Sequence, residues 1–494
     1  MRLSLLTFLF LLFCKSVLIA QISVPSPLKS DFEGTFSLLA SDSLQGRKAN
    51  DRGGSLAASF VSSKMQSYKL KPYNQLEDYF QVFEIREHSV KKTALEIKKR
   101  NHRTISLSSE KDFEVIPTRH SLQKKQAEAV FVSYGLDVSK ENYNDYKTLD
   151  VNNKIVIVLS GFPSDQDSTS IVYKKFKSLF PEENDLEETK IKTAINKGAS
   201  ALIIIENKEN FKPKKNSENE VFHSLENTTS TSIPVFRIGK TTAENLFPEI
   251  RLKDNLTSLP LKKVKINFST EVQSENFYVA NVLGYISGKD TTKTIIVGAH
   301  YDHLGIKNDS IYNGADDNAS GTSGLLALAK KWSESSIKPD YNILFAAWTA
   351  EEMGLLGSEY FVSTLNPEKQ KILLAINMDM ISRSAPEDKT HRILSVGTQK
   401  TDSDLRKIIS DANSQLSKPF TLDLWETDGH SGSDYASFTA KGIPILTFFS
   451  GYHEDYHTPG DTFSKVDLDK TQDILFLVNN ALLQFIKNQN AAKP

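Results

Sequence analysis

The stretch NILFAAWTAEEMGLLGSEYF, Asn342 to Phe361, decides how this chain is read. An apolar run of strand length ends on two adjacent carboxylates, Glu351 and Glu352. Two like charges at the end of a buried strand repel each other and resist desolvation, so something has to compensate them. Working outward, TIIVGAH, ILLAINMDM, RILSVG and GIPILTFF are similar short apolar runs, of the kind a sheet covered on both faces needs. Helical patterns alternate with them, in SGTSGLLALAKKWSES, TDSDLRKIISDANSQL and TQDILFLVNNALLQFIKNQ. The class is therefore α/β, and in such sheets ligands gather beyond the carboxyl ends of the strands.

Chemistry-bearing residues stand just after these runs. VGAHYDHLG places His300 and Asp302 there, NGADDNASG supplies Asp316 and Asp317, AINMDMIS supplies Asp379, and GYHEDYHTPGD supplies His453 and His457. Imidazole and carboxylate donors without sulfur suit zinc or another divalent transition ion. Bound cations would neutralise the acids at the strand ends. A hydrolytic centre needs ligands and also a base for the attacking water, which accounts for two glutamates; the sequence leaves open which does which.

The bulk numbers agree with a multidomain globular protein. The 494 residues exceed one ordinary core, and 60 basic against 61 acidic residues give a net charge of −1. That balance offers no field for nucleic acid or an anionic membrane surface. Arg2, the apolar LLTFLFLLFC and a small-residue site after Ala20 read as an export signal over residues 1–20, leaving a periplasmic or secreted chain without a membrane span. Cys14 is the only cysteine, so the mature chain would have no disulfide and no thiol nucleophile. Two helical patterns flank the glycine-rich break at Gly46, Gly53 and Gly54. The segment AVFVSYG to IPVFRIG reads as a compact β-rich unit with charged, solvated loops.

In the order HYD, GADDNASG, AEEMGLLGS, NMDM, YHTPGD, the motifs resemble the M28 family of dinuclear zinc peptidases. The resemblance implies an αβα sandwich around a mixed central sheet, with a protease-associated (PA) domain inserted. Its divisions would be 1–20 signal, 21–120 leading part of the catalytic domain, 121–255 PA-like domain and 256–494 catalytic domain. It also implies two zinc ions, or other divalent ions, held by His300, Asp317, Glu352, Asp379 and His457. Asp317 would bridge them, His300 and Asp379 would complete one site, and Glu352 and His457 the other. Glu351 would be the general base, Asp302 would orient His300, and Tyr456 would hydrogen-bond the oxyanion. The implied activity is removal of N-terminal residues from peptide substrates. Many members carry His where Tyr435 stands here.

Other residues near the motifs have plainer readings. His303 and His453 are expected to be hydrogen-bonded neighbours rather than ligands, and Trp348 and Trp425 core or pocket wall. Asp434 and His430 are equally loop-bonding residues and candidate substrate contacts. DGHSG lacks a nucleophile elbow or triad, which argues against serine chemistry. A carboxypeptidase or dipeptidase of the same fold is the nearest rival and would use an arginine clamp, for which Arg383 is the candidate. A glutaminyl cyclase or a non-catalytic binding protein is further off, since none of the six metal and base positions is lost.

Overall fold

The structure, a computed structural model, describes residues 24–491 apart from 75, 100–103, 110, 117–121, 181–182, 209–210, 214–220, 226–232, 251, 253–255 and 428–431. The expected signal at 1–20 and His430 lie outside the described residues. Eight strands organise the larger core: β1 (Phe80–Lys99), β2 (Leu259–Ile286), β3 (Asp290–His300), β4 (Tyr341–Trp348), β5 (Lys371–Met378), β6 (Ile393–Gln399), β7 (Thr421–Thr427) and β8 (Ile445–Phe449). Their order is β7-β6-β8-β5-β3-β4-β2, with β1 paired to β2. The neighbours β8, β5, β3 and β4 run parallel, while β2 is antiparallel to β4 and β6 to β8, so the sheet is mixed. All eight residues of β4 are buried, which is why its sequence shows no polar alternation.

Helices cover both faces. On one lie α1 (Lys29–Leu39), α2 (Arg52–Ser67), α3 (Gly321–Glu334) and α4 (Leu468–Ala491). Phe32, Phe36, Val61 and Met65 from the leading helices join Leu325, Leu328, Ile474 and Leu482 in one cluster. On the other face Phe361, Tyr435 and Phe438 pack on Ile296, Leu344 and Trp348. The αβα sandwich around a mixed sheet is thus the observed architecture, and Trp348 is a core residue.

A second, smaller sheet begins where the first half of β2 pairs with Leu122–Phe131, which runs parallel to Ile155–Leu159, Ala201–Glu206 and Val235–Gly239 in turn. Its core is not confined to residues 121–255. Val90, Leu95, Ile97, Phe113 and Val115 enter it from the earlier side, and Leu261, Val264, Ile266 and Phe268 from the later. The β1–β2 ribbon is long enough to serve both cores, and it joins the two sheets into one continuous hydrogen-bonded surface.

Arg47 bolts the leading helices to the strand ends. It is 1% exposed, and its guanidinium donates to the carbonyls of Leu39, Tyr301 (2.8 Å), Asn313 (2.6 Å) and Gly314 (2.9 Å). Burial draws it down to about 10, against the pull of Asp317, Asp302, Asp461 and Glu352, so it remains a cation at neutral pH. Truncating Arg47 to Ala would orphan four buried carbonyls and remove a buried charge. Urea denaturation of Arg47→Ala should register a loss of about 3–5 kcal/mol; a change below about 1 kcal/mol would refute the bolt.

Candidate metal centre

The four parallel strands end side by side, and the turns after them converge. His300 is the last residue of β3, Glu351 and Glu352 follow β4, Asp379 follows β5, and His457 lies in the loop after β8. Asp317 arrives from the loop before α3. That loop is knitted to the strand ends: Asn318 Nδ2 donates to the Met378 carbonyl at 2.9 Å, and Thr322 Oγ1 to the His300 carbonyl at 2.6 Å.

The donor atoms fall into two adjoining groups. His300 Nε2 lies 3.3 Å from Asp379 Oδ1 and 3.4 Å from Asp317 Oδ1. His457 Nε2 lies 3.0 Å from Asp317 Oδ2 and 3.2 Å from Glu352 Oε2. Asp317 therefore turns one oxygen to each group. Two ligands of one tetrahedral zinc ion, each about 2.0–2.1 Å from it, stand roughly 3.3 Å apart, and these four separations match that spacing. The residues present fit a pair of cations. Glu351 stands with His300 and Asp379, its Oε2 3.9 Å from His300 Nε2, a little farther than the other donors.

The supporting residues explain which of the adjacent aspartates faces inward. Asp316 Oδ1 accepts from the backbone N–H and hydroxyl of Ser382 (2.7 and 2.8 Å) and from Arg383 N–H, and His453 Nε2 stands 3.4 Å from Oδ2. Asp316 is thus consumed by the fold. Asp461, wholly buried, accepts the N–H groups of both Asp316 (3.0 and 3.1 Å) and Asp317 (3.1 Å), holding the backbone that aims Asp317. His303 Nδ1 lies 2.6 Å from Glu352 Oε1, closer than two ligands of one ion sit, and 3.7 Å from Asp317 Oδ2. It stands with Asp317, Glu352 and His457 in one cluster of possible donors.

Asp302 acts on His300 differently from the expectation. Its main-chain carbonyl is the atom within reach of His300 Nδ1, at 3.2 Å, while its carboxylate stands 3.8 Å away. That carboxylate instead accepts the backbone N–H of Glu351 at 3.2 Å, because the chain turns just after β3. Tyr456 stacks on His457, with ring centroids 3.8 Å apart, and lines a cavity beside Asp317 and Glu351. Arg383 Nη1 is engaged by Asp455 at 2.8 Å and faces Asp461 at 3.8 Å.

Such crowding of acids sets the electrostatics. Burial, with Asp379, Asp434 and Glu352 nearby, pushes Glu351 well above the usual carboxylate range in spite of His300. Burial raises Asp302 and Asp434 each to about 7. Glu352 moves the other way, since His303 and His457 outweigh its burial. Burial pulls His457 down, yet its hydrogen bonds to Asp317 and Glu352 carry it up to about 10.

The inward-facing residues all stand in the sequence motifs, whereas Arg47 and Asp461 carry no such mark of their role. An arginine after the Gly46 turn and the aspartate closing YHTPGD have no spacing that distinguishes a backbone clamp.

The fold and the site together define an α/β protein with a candidate two-cation centre at its strand ends. Residues 281–482 match the model of peptidase family M28, and residues 125–246 that of the PA domain. The later part of the chain is thus similar to M28 peptidases, and a segment ahead of it to PA domains. An aminopeptidase of Bacillus subtilis, YwaD, is 28% identical over 62% of this chain and 61% of its own length. A probable leucine aminopeptidase 2 of Aspergillus fumigatus is 27% identical over 45% of this chain and 46% of its own. The chain thus spans about half the length of such curated relatives. Among solved structures, an aminopeptidase from an Aneurinibacillus strain superposes with a TM-score of 0.58 at 21% identity, covering 93% of this chain and 94% of that one. A zinc aminopeptidase from Bacillus subtilis gives 0.50 at 21%, covering 94% and 96%. At these identities the superpositions establish the fold.

The geometry yields two expected outcomes. Asp461→Asn leaves one oxygen for two N–H groups, and zinc affinity measured by chelator competition should fall about 10–100-fold; an unchanged affinity would remove Asp461 from the site's support. A metal must also displace the proton on His457, so uptake at pH 7 should release protons, read as buffer-dependent heat in calorimetry, with affinity rising from pH 7 towards 10.

Proposed function

We propose that this protein is an exported aminopeptidase using two zinc ions, held by His300 and Asp379 on one side and Glu352 and His457 on the other, with Asp317 between them. The observation that carries the reading is the split of Asp317, one oxygen 3.4 Å from His300 and the other 3.0 Å from His457. The M28 match and the aminopeptidase relatives support the reaction class. The zinc named in one structural neighbour supports the metal. When bound, such ions acidify a water and polarise a carbonyl.

The chain's own residues supply the rest. Glu351 is the general base. Placed beside His300 and Asp379 but farther from the imidazole than Asp379 is, and with its proton affinity raised by burial, it takes the proton of the attacking water and passes it to the departing amine. Asp302 holds the Glu351 backbone through its carboxylate and His300 through its carbonyl. Tyr456, stacked on His457 at the cavity wall, donates to the developing oxyanion. Residues 121–255 form most of the PA-like unit, whose core borrows residues from the catalytic parts 21–120 and 256–494 on either side, and residues 1–20 direct export. Among the described residues no helix is long and apolar enough to cross a membrane.

The carboxypeptidase alternative is disfavoured by Arg383, whose guanidinium is already paired with Asp455. Glu351→Gln should retain zinc and lose kcat by about 10²–10⁴-fold; a fully active variant would exclude Glu351 as the base. Peptides blocked by N-acetylation should resist the enzyme, whereas C-terminally amidated ones should be cleaved, as read by chromatography. The reverse pattern would replace the aminopeptidase reading with the carboxypeptidase one.

A further inference from the structure

A cavity of about 290 Å³, lined by Asp317, Glu351, Asp379 and His457, extends to Ser395 of β6 and Trp425 of β7. Its size is at the small end of ligand pockets, enough for one side chain rather than a length of peptide. The walls are unusually aromatic: Trp425, Tyr435, Phe449 and Tyr452 line it, with Met380 beside them. They form two edge-on pairs. Trp425 meets Tyr435 at 5.8 Å, and Phe449 meets Tyr452 at 4.8 Å.

The floor comes from the register of three strands. Ser395 lies opposite Phe449, and Gly397 lies opposite Thr447 on β8 and Trp425 on β7. Gly397 lies behind the Trp425 wall. A Cβ added there would stand 2.5 Å from one atom of the Trp425 indole and 2.7 Å from two others, so the bare glycine lets the ring lie flat against the sheet. Ser395 and Thr447 also line it, and both hydroxyls are partnered, Ser395 Oγ with Asp423 at 3.1 Å and Thr447 Oγ1 with Asn377 at 3.3 Å. Away from Asp317, Glu351 and Asp379, the described lining holds no carboxylate to receive a basic side chain.

We infer that this cavity takes the side chain of the substrate's N-terminal residue and selects a flat aromatic ring, phenylalanine or tyrosine, over leucine, with Trp425 laid on Gly397 as the selecting wall. The inference rests on the aminopeptidase reading and goes further, since it names the residue class removed. A planar ring meets aromatic walls edge-to-face and offset, contacts that a branched aliphatic chain cannot reproduce.

The test uses the zinc-loaded full chain. Phenylalanyl and tyrosyl anilides should exceed the leucyl and lysyl anilides in kcat/KM by about tenfold or more. Gly397→Ala lifts the indole into the cavity and Trp425→Leu removes it, and in each the phenylalanyl-to-leucyl ratio should fall at least about fivefold. Zinc content and thermal melting establish that the variants fold. Equal rates on leucyl and phenylalanyl anilides, or a ratio unmoved by Gly397→Ala, would overturn the inference. Binding of phenylalaninol and leucinol, which carry the amine and no scissile bond, is followed in parallel by titration calorimetry. If no anilide turns over but phenylalaninol binds more tightly than leucinol, and Trp425→Leu abolishes the difference, the pocket assignment stands and the aminopeptidase reading falls. If neither alcohol is preferred, the pocket assignment falls.

Discussion

Asp317 is the residue on which the centre turns, because its two oxygens face two different sets of donors. A carboxylate in that position cannot choose its own direction. Its backbone N–H and that of Asp316 are both held by the buried Asp461, while the Asp316 side chain is drawn off by Ser382, Arg383 and His453. The loop is thereby committed to one orientation before any cation arrives. Without a cation the same arrangement leaves Glu351, Asp302 and Asp434 with carboxyls forced upward by burial and mutual repulsion. Acids assembled at such electrostatic cost are a mark of a site built for positive charge.

The support for that loop comes from far along the chain. Arg47, more than 250 residues earlier, reaches the carbonyls of Tyr301, Asn313 and Gly314 on either side of the site. This makes the leading helices part of the larger core rather than an appendage, consistent with Phe32, Phe36 and Val61 sharing its main hydrophobic cluster. The smaller sheet is tied in by a different device. Strands β1 and β2 run through both cores, so the inserted unit cannot swing as a bead on a flexible linker without breaking ladder hydrogen bonds.

Much of the site was legible from residue types alone. His300, Asp302, Asp316, Asp317, Glu351, Glu352, Asp379, His453 and His457 offered themselves as candidates because they stand close after apolar runs that read as strands, while the choice among them came with the M28 resemblance. The positioning residues were not legible. Arg47 works through four main-chain carbonyls and Asp461 through two main-chain N–H groups, and backbone partners leave no pattern in the sequence. Asp302 illustrates the same limit. Its proximity to His300 came from a spacing of two, but which of its oxygens faces the imidazole depended on the turn after β3.

The sequence by itself determined the class of fold, through the alternation of buried strand runs with amphipathic helices, and it offered a set of imidazole and carboxylate donors for a candidate metal centre. Tertiary structure alone decided the rest. It divided adjacent acids into inward and buttressing members, it sent β1 and β2 through two cores, and it laid Trp425 on Gly397 beside the centre. The physical reason is range. Periodicity and residue chemistry are local properties, whereas the direction of a buried side chain is settled by partners that only the folded chain brings within about 3–4 Å.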